Sequence, residues 1–178
     1  MPSPQIEASL VILVPEVEPF ISSYRIEHDP SAATGVPAHI TINYPFVPGI
    51  DPDEDLYQRL AEVISKIEVF EFTFRQFGRF PDVLYMAPEP DYLFNNLIEI
   101  ILEKFPESPP YGGIFDTIVP HLTVAHSEDS EVLKSIESQI LNASPKLLPL
   151  STTAYQIVLM DNRIGHWKVQ KEFQFGIK

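Results

Sequence analysis

His39-Ile40-Thr41-Ile42 and, about eighty residues further on, His121-Leu122-Thr123-Val124 carry one pattern twice: polar, apolar, polar, apolar. Side chains of an extended chain alternate between two faces, so each histidine shares a strand face with the threonine two residues on. Five histidines and seven threonines in 178 residues predict well under one His-x-Thr pair by composition, and this chain has two. Their surroundings correspond as well. Each motif strand follows a proline (Pro37, Pro120), leads through an acidic turn into an amphipathic helix, and reaches an apolar strand roughly thirty residues beyond the histidine. That is a weak internal repeat.

Working outward, Ile6 to Val14 is a dense apolar run closed by Pro15 and reads as a buried strand. Pro19 to His28 suits a short helix, and Asp29, Pro30, Gly35 and Pro37 make a loop before the first motif. Ala38 to Phe46 is the first motif strand, with His39, Thr41 and Asn43 expected on one face and Ile40, Ile42 and Tyr44 on the other. A helix follows from about Asp53 to Ile67, burying Leu56, Leu60, Val63, Ile64 and Ile67. Phe70 to Phe77, ended by Gly78 and Pro81, and Val83 to Ala87 form a hairpin. Asp91 to Phe105 is helical, and the proline-rich stretch from Pro106 to Gly113 is the expected crossing between halves. His121 to Ala125 is the second motif strand, followed by a helix over Asp129 to Leu141. Two final strands, Ser151 to Met160 and His166 to Phe175, flank a turn at Asp161 to Gly165. The alternation implies an α+β protein, expected as one unit over residues 1–178.

Composition narrows the function. The net charge of −13 repels a polyanion over most of the surface, so a long nucleic acid is not an expected partner. With no cysteine there is no disulfide, thiolate zinc site or cysteine nucleophile. The longest apolar stretches, Leu10–Val14 and Ile98–Leu102, fall far short of the roughly 20 residues that span a bilayer, and Met1 to Gln5 shows no secretory pattern. A cytoplasmic, monomeric protein without a membrane partner is expected. Motifs for triphosphate loops, dinucleotide folds, zincins and serine hydrolases are absent from the sequence.

On these residues the chain resembles the 2H phosphoesterase superfamily, which includes 2'-5' RNA ligase-like proteins and cyclic nucleotide phosphodiesterases. The paired H-x-T-x motifs carry the likeness. Phe74 to Gly78, Phe80, Leu84-Tyr85-Met86 and Gly165-His166-Trp167 are loosely similar to the ligase-like branch. The resemblance implies two pseudo-symmetric lobes, each an antiparallel sheet backed by helices, facing each other across a central cleft. It also implies a metal-independent phosphodiesterase acting on 2',3'-cyclic or 2'-5'-linked nucleotides, with no cofactor. His39, Thr41, His121 and Thr123 would be catalytic, with His121 as base and His39 as acid by analogy. The residues alone leave that order open, because the motifs are nearly equivalent. RNA joining, for which RNA ends would be the substrate, and non-catalytic nucleotide or phosphate binding are the alternatives.

The chemistry accounts for the residue types. In-line displacement at phosphorus takes a proton from the attacking oxygen on one side and gives one to the leaving oxygen on the other. Histidine, with an unperturbed pKa near 6.5, serves both tasks, and threonine hydroxyls can donate to nonbridging oxygens as charge builds. Such a site requires no metal. Tyr44 and Tyr111 are candidates for stacking on a base, and Arg163 and Trp167, in the basic segment 163–178, for a phosphate or base rim. His126, an odd number of residues after His121, is expected to face the other side of the strand, in a loop or cap role. His28 is expected at the solvent surface.

Overall fold

Strand β1 (Ala8–Leu13) forms where the sequence is most densely apolar, and its Leu10, Val11 and Ile12 are buried. In the computed structural model, which describes residues 6–48, 51–163 and 165–176, a 3-10 turn over Pro15–Val17 ends this run and starts helix α1 (Glu18–His28). The loop expected next contains one helical turn, α2 (Pro30–Ala33), which Asp29 caps by accepting a hydrogen bond from the Ser31 amide at 2.9 Å. Strand β2 (His39–Phe46) leads to α3 (Glu54–Ile64), capped by Asp53 and buried along Leu56, Leu60 and Ile64. Strands β3 (Phe70–Phe80) and β4 (Val83–Glu89), helix α4 (Tyr92–Lys104), strand β5 (Leu122–His126) and helix α5 (Ser130–Ala143) follow.

The expected strand from Ser151 to Met160 is two strands. β6 (Leu150–Ala154) and β7 (Gln156–Asp161) are separated only by Tyr155 and belong to different sheets. β8 (Lys168–Gln174) completes the fold. The result is an α+β protein with two antiparallel four-stranded sheets, ordered β2-β1-β7-β8 and β5-β4-β3-β6. The chain therefore leaves the first sheet after β2 and returns at Tyr155. The proline-rich stretch is not the crossing expected of it, because β4 and β5 on either side of it are neighbours in one sheet.

Each motif strand, β2 or β5, lies at the edge of its sheet, and the two edges meet. The supporting helices are exchanged. α1, which follows β1 of the first sheet, packs on β5 of the second, while α4, which follows β4 of the second sheet, packs on β2 of the first. The main hydrophobic cluster accordingly takes in residues of both sheets, among them Leu10, Ile40, Phe72 and Leu122. A second, small cluster of Val11, Val36, Val158 and Met160, with Leu13 and Trp167 against it, covers the opposite face of the first sheet.

Candidate active site

Both motifs are shaped by a β-bulge at the same place. Against β1, the partner of Leu10 is Asn43 and the partner of Val11 is Thr41, so one residue of β2 is extra. Against β4, Leu84 faces Ala125 and Tyr85 faces Thr123, so β5 likewise carries an extra residue. The bulge reverses the alternation beyond each threonine. Ile42 and Asn43 are both buried, and so are Val124 and Ala125. Asn43, expected beside Thr41, is fully buried and donates its amide to the Ser108 carbonyl at 2.8 Å. Tyr44 and His126, each expected on the opposite face, instead line the same cavity as the motif residues. The repeat is thus longer than four residues: an aromatic or imidazole ring returns to the cleft five positions after each histidine.

That cavity, about 540 Å³, lies where the two edges meet and is lined by His39, Thr41, His121 and Thr123. Its size suits a nucleotide-sized ligand. The two imidazoles are held identically, His39 Nδ1 lying 2.8 Å from the Pro37 carbonyl and His121 Nδ1 2.7 Å from the Val119 carbonyl. A carbonyl only accepts, so Nδ1 carries the proton and Nε2 is the nitrogen left for chemistry in each ring. His121 is further boxed by Phe80 and Tyr85, with centroids at 5.2 and 5.6 Å. Gly78 permits this, since the Tyr85 ring occupies the space a Cβ there would fill.

Burial sets the electrostatics. Desolvation pushes the His39 imidazole from 6.5 down to about 4, against the raising effect of the Pro37 carbonyl, and Arg25 and His121 push it further down while Asp29 opposes them. His121 is lowered as well, chiefly by burial and also by His126, with the Val119 carbonyl opposing. Burial raises the Tyr111 phenol, an effect partly offset by a hydrogen bond with Thr41. Tyr111 sits in a left-handed backbone conformation (φ 52°) within the turn Pro110–Gly113, its ring edge-on to Phe115. Tyr44 is raised by burial and then by the Glu7 carboxylate beside it.

One buried cation ties the two motifs together. Arg25, 2% exposed, donates to Asp29 Oδ2 from Nη2 at 2.8 Å, to the Thr123 carbonyl from Nε at 3.1 Å and to the Val36 carbonyl from Nη1 at 3.3 Å. Glu18, 3.8 Å from the same guanidinium, accepts the Ala38 amide at 2.5 Å. No sequence motif marks Arg25, although its place four residues after Ile21 on the buried stripe of α1 is a visible signal.

Among the expected ligand-binding residues, Tyr44, Tyr111 and Trp167 line the cavity and Arg163 does not. Arg163 is held instead by Asp161 at 2.6 Å and Asp51 at 3.0 Å. His28 faces Glu27, away from the lining. Among the described residues no group of three or more His, Asp or Glu could hold a metal ion, and no helix is long and apolar enough to cross a membrane.

Two antiparallel sheets that meet along histidine-bearing edges define the bilobal two-histidine class of α+β proteins. The chain belongs to the 2'-5' RNA ligase superfamily, whose family model matches residues 13–165. It is similar to a candidate phosphoesterase of Bacillus licheniformis, 26% identical over 175 residues and covering 93% of this chain and 97% of that one. A second, from Geobacillus kaustophilus, is 24% identical, with 95% and 96% covered. Among solved structures, Escherichia coli LigT complexed with NADP+ superposes with a TM-score of 0.60 at 16% identity, covering 98% of this chain and 99% of that one. A Thermus thermophilus protein gives 0.58 at 17% identity, with 96% and 97% covered. At these identities the solved structures speak for the fold alone.

Proposed function

We propose that the protein is a metal-independent phosphodiesterase that opens 2',3'-cyclic or 2'-5'-linked nucleotide phosphodiesters. The observation that carries this reading is that two imidazoles, each tied through Nδ1 to a carbonyl and each free at Nε2, line one cavity with a threonine hydroxyl beside each. For a cyclic phosphate, the Nε2 of one histidine takes a proton from water as the water oxygen attacks phosphorus. The P–O3' bond breaks in line, and the other histidine gives its proton to the departing 3' oxygen, leaving a nucleoside 2'-phosphate. Thr41 and Thr123 donate to the nonbridging oxygens as their charge builds. The family analogy makes His121 the base and His39 the acid. Escherichia coli LigT has been crystallised with 3'-AMP and with ATP, which is in keeping with a nucleotide ligand here.

The test is hydrolysis of 2',3'-cyclic nucleotides and 2'-5' dinucleotides in the presence of EDTA. Turnover is expected, and His39→Ala or His121→Ala should lower it by at least about 10²-fold each, the typical worth of a positioned acid or base. Nucleotide binding by well-folded wild type without turnover of any substrate would overturn the proposal in favour of a non-catalytic binding protein.

A further inference from the structure

The motif residues of the cavity come from both sheets, and one stretch of the remaining wall comes from the first sheet. Beyond the motif residues, β1 contributes Ser9 and Val11, Glu7 lies just ahead of that strand, β7 contributes Met160, and Trp167 stands beside them. Val11, Val36, Val158 and Met160 form the small apolar cluster of the first sheet, against which Trp167 packs. Tyr44 meets Trp167 edge-on at 6.1 Å, and the Trp167 amide is fixed to the Thr34 carbonyl at 3.0 Å. This end is therefore an apolar and aromatic wall suited to the flat face of a base.

At the far end of that wall is a carboxylate held in place. The Glu7 amide donates to Asn162 Oδ1 at 2.9 Å, the Asn162 amide to the Glu7 carbonyl at 3.2 Å, and Asn162 Nδ2 to Glu7 Oε2 at 3.3 Å. The Tyr44 phenol stands close enough to the same carboxylate to be raised by it. A carboxylate has about four acceptor positions; Asn162 occupies one, so at least about two remain for a ligand even with Tyr44 beside it. Val11 pairs with Thr41, and Glu7 lies four residues before it, about 13 Å along the strand, which is the scale of a nucleoside with its hydrogen bond.

We infer that this wall is a base-recognition subsite in which Glu7 accepts two adjacent N–H donors from the edge of a guanine-type base lying against Trp167. An ionised carboxylate only accepts. Guanine offers N1–H and N2–H side by side, whereas adenine and cytosine set a ring acceptor next to their amino group and uracil flanks its one N–H with carbonyls. The inference deepens the phosphodiesterase reading, since it names the base carried by the substrate of that cavity.

Trp167, the chain's single tryptophan, makes the subsite observable without any chemistry. Wild-type protein is titrated with guanosine and with adenosine, which carry no phosphate, while Trp167 fluorescence is followed with excitation beyond nucleoside absorption. Guanosine is expected to bind about tenfold more tightly, the usual discrimination of one two-bond base contact. Glu7→Gln should bring the two to near parity, and His39→Ala should keep the preference. The four 2',3'-cyclic mononucleotides are then compared as substrates, with the lowest KM expected for the guanine one. Equal quenching by both nucleosides with wild type, or a guanine preference that survives in Glu7→Gln, overturns the subsite. Because wild type alone decides the first point, a poorly folding variant does not rescue the idea. Guanosine preference without turnover of any cyclic phosphate keeps the subsite and removes the phosphodiesterase, whereas turnover indifferent to base does the reverse.

Discussion

An imidazole in the floor of a cleft holds a proton less readily than one in water, and His39 is the extreme case in this chain, at about 4. The consequence for stability has a definite sign. Between about 4 and 6.5 the unfolded chain binds a proton at His39 that the folded chain does not, so the contribution of this group is complete above 6.5 and is lost as pH falls through that window. Urea midpoints of wild type and His39→Gln should therefore converge, or cross in favour of the variant, as pH drops from 7.5 to about 4.5. A gap that stays constant would remove His39 as the titrating group. The same depression bears on the proposed reaction, in which the acid must be protonated: an anion bound between the rings would raise both pKa values, so affinity for inorganic phosphate should fall as pH rises, and less steeply in His39→Gln. At Thr41 and Thr123 the expectation concerns rate alone. Thr→Val keeps the branched shape and removes the donor, and should reduce kcat by about 10²-fold with KM little changed, as measured by steady-state kinetics on a cyclic nucleotide.

Elements decide where those residues point, and here the sequence was legible in part. A strict period of two put His39 with Thr41 and His121 with Thr123, and the helical stripes of α3, α4 and α5 were evident from spacing. The two bulges were not legible, because one extra residue leaves no mark on composition, yet it moved Asn43 inside and brought Tyr44 and His126 to the cavity. The split at Tyr155 was hidden for a related reason: β6 and β7 both read as strand, and only pairing assigns them to different sheets. Exchange of α1 and α4 between the sheets is likewise a tertiary fact, and it explains why a buried arginine was needed. Arg25 sits on α1 but satisfies the Thr123 carbonyl of β5 and the Val36 carbonyl before β2. Arg25→Met should cost about 3 kcal/mol in urea unfolding, because it leaves Asp29 and Glu18 without their cation, and Arg25→Met combined with Asp29→Asn should recover part of it. At the other motif, Gly78→Ala collides with Tyr85 and should cost about 1–3 kcal/mol while lowering kcat through the displaced His121. If the Gly78→Ala variant turned over like wild type, the aromatic box would not be what holds that ring.

At the scale of the whole molecule, the motif edges could form a hinge between two independent lobes or a seam within one cooperative body, and the packing distinguishes these. An independent lobe would have its own core, but the main cluster runs without a break from Leu10 and Ile40 of the first sheet to Phe72 and Leu122 of the second. The chain also crosses twice, so the first sheet cannot be assembled from one continuous segment: β7 and β8 join it only after all four strands of the second sheet have been laid down. Removing either sheet would strip the helix that backs the other sheet's motif edge, exposing α1 or α4 and losing burial at roughly 25 cal/mol per Å² of apolar surface. Unfolding one lobe alone would thus expose much of the core while recovering only part of the chain entropy. A single transition is expected, with urea midpoints from Trp167 fluorescence, which reports on the first sheet, and from far-UV circular dichroism, which reports on the whole, coinciding at every pH where the protein is folded. Calorimetric and van't Hoff enthalpies should agree as well. A Trp167 midpoint displaced from the dichroism midpoint, with an intermediate that keeps the second sheet, would mean that the two-histidine cleft can open by melting one wall, and that the histidines are held together by ligand rather than by the shared core.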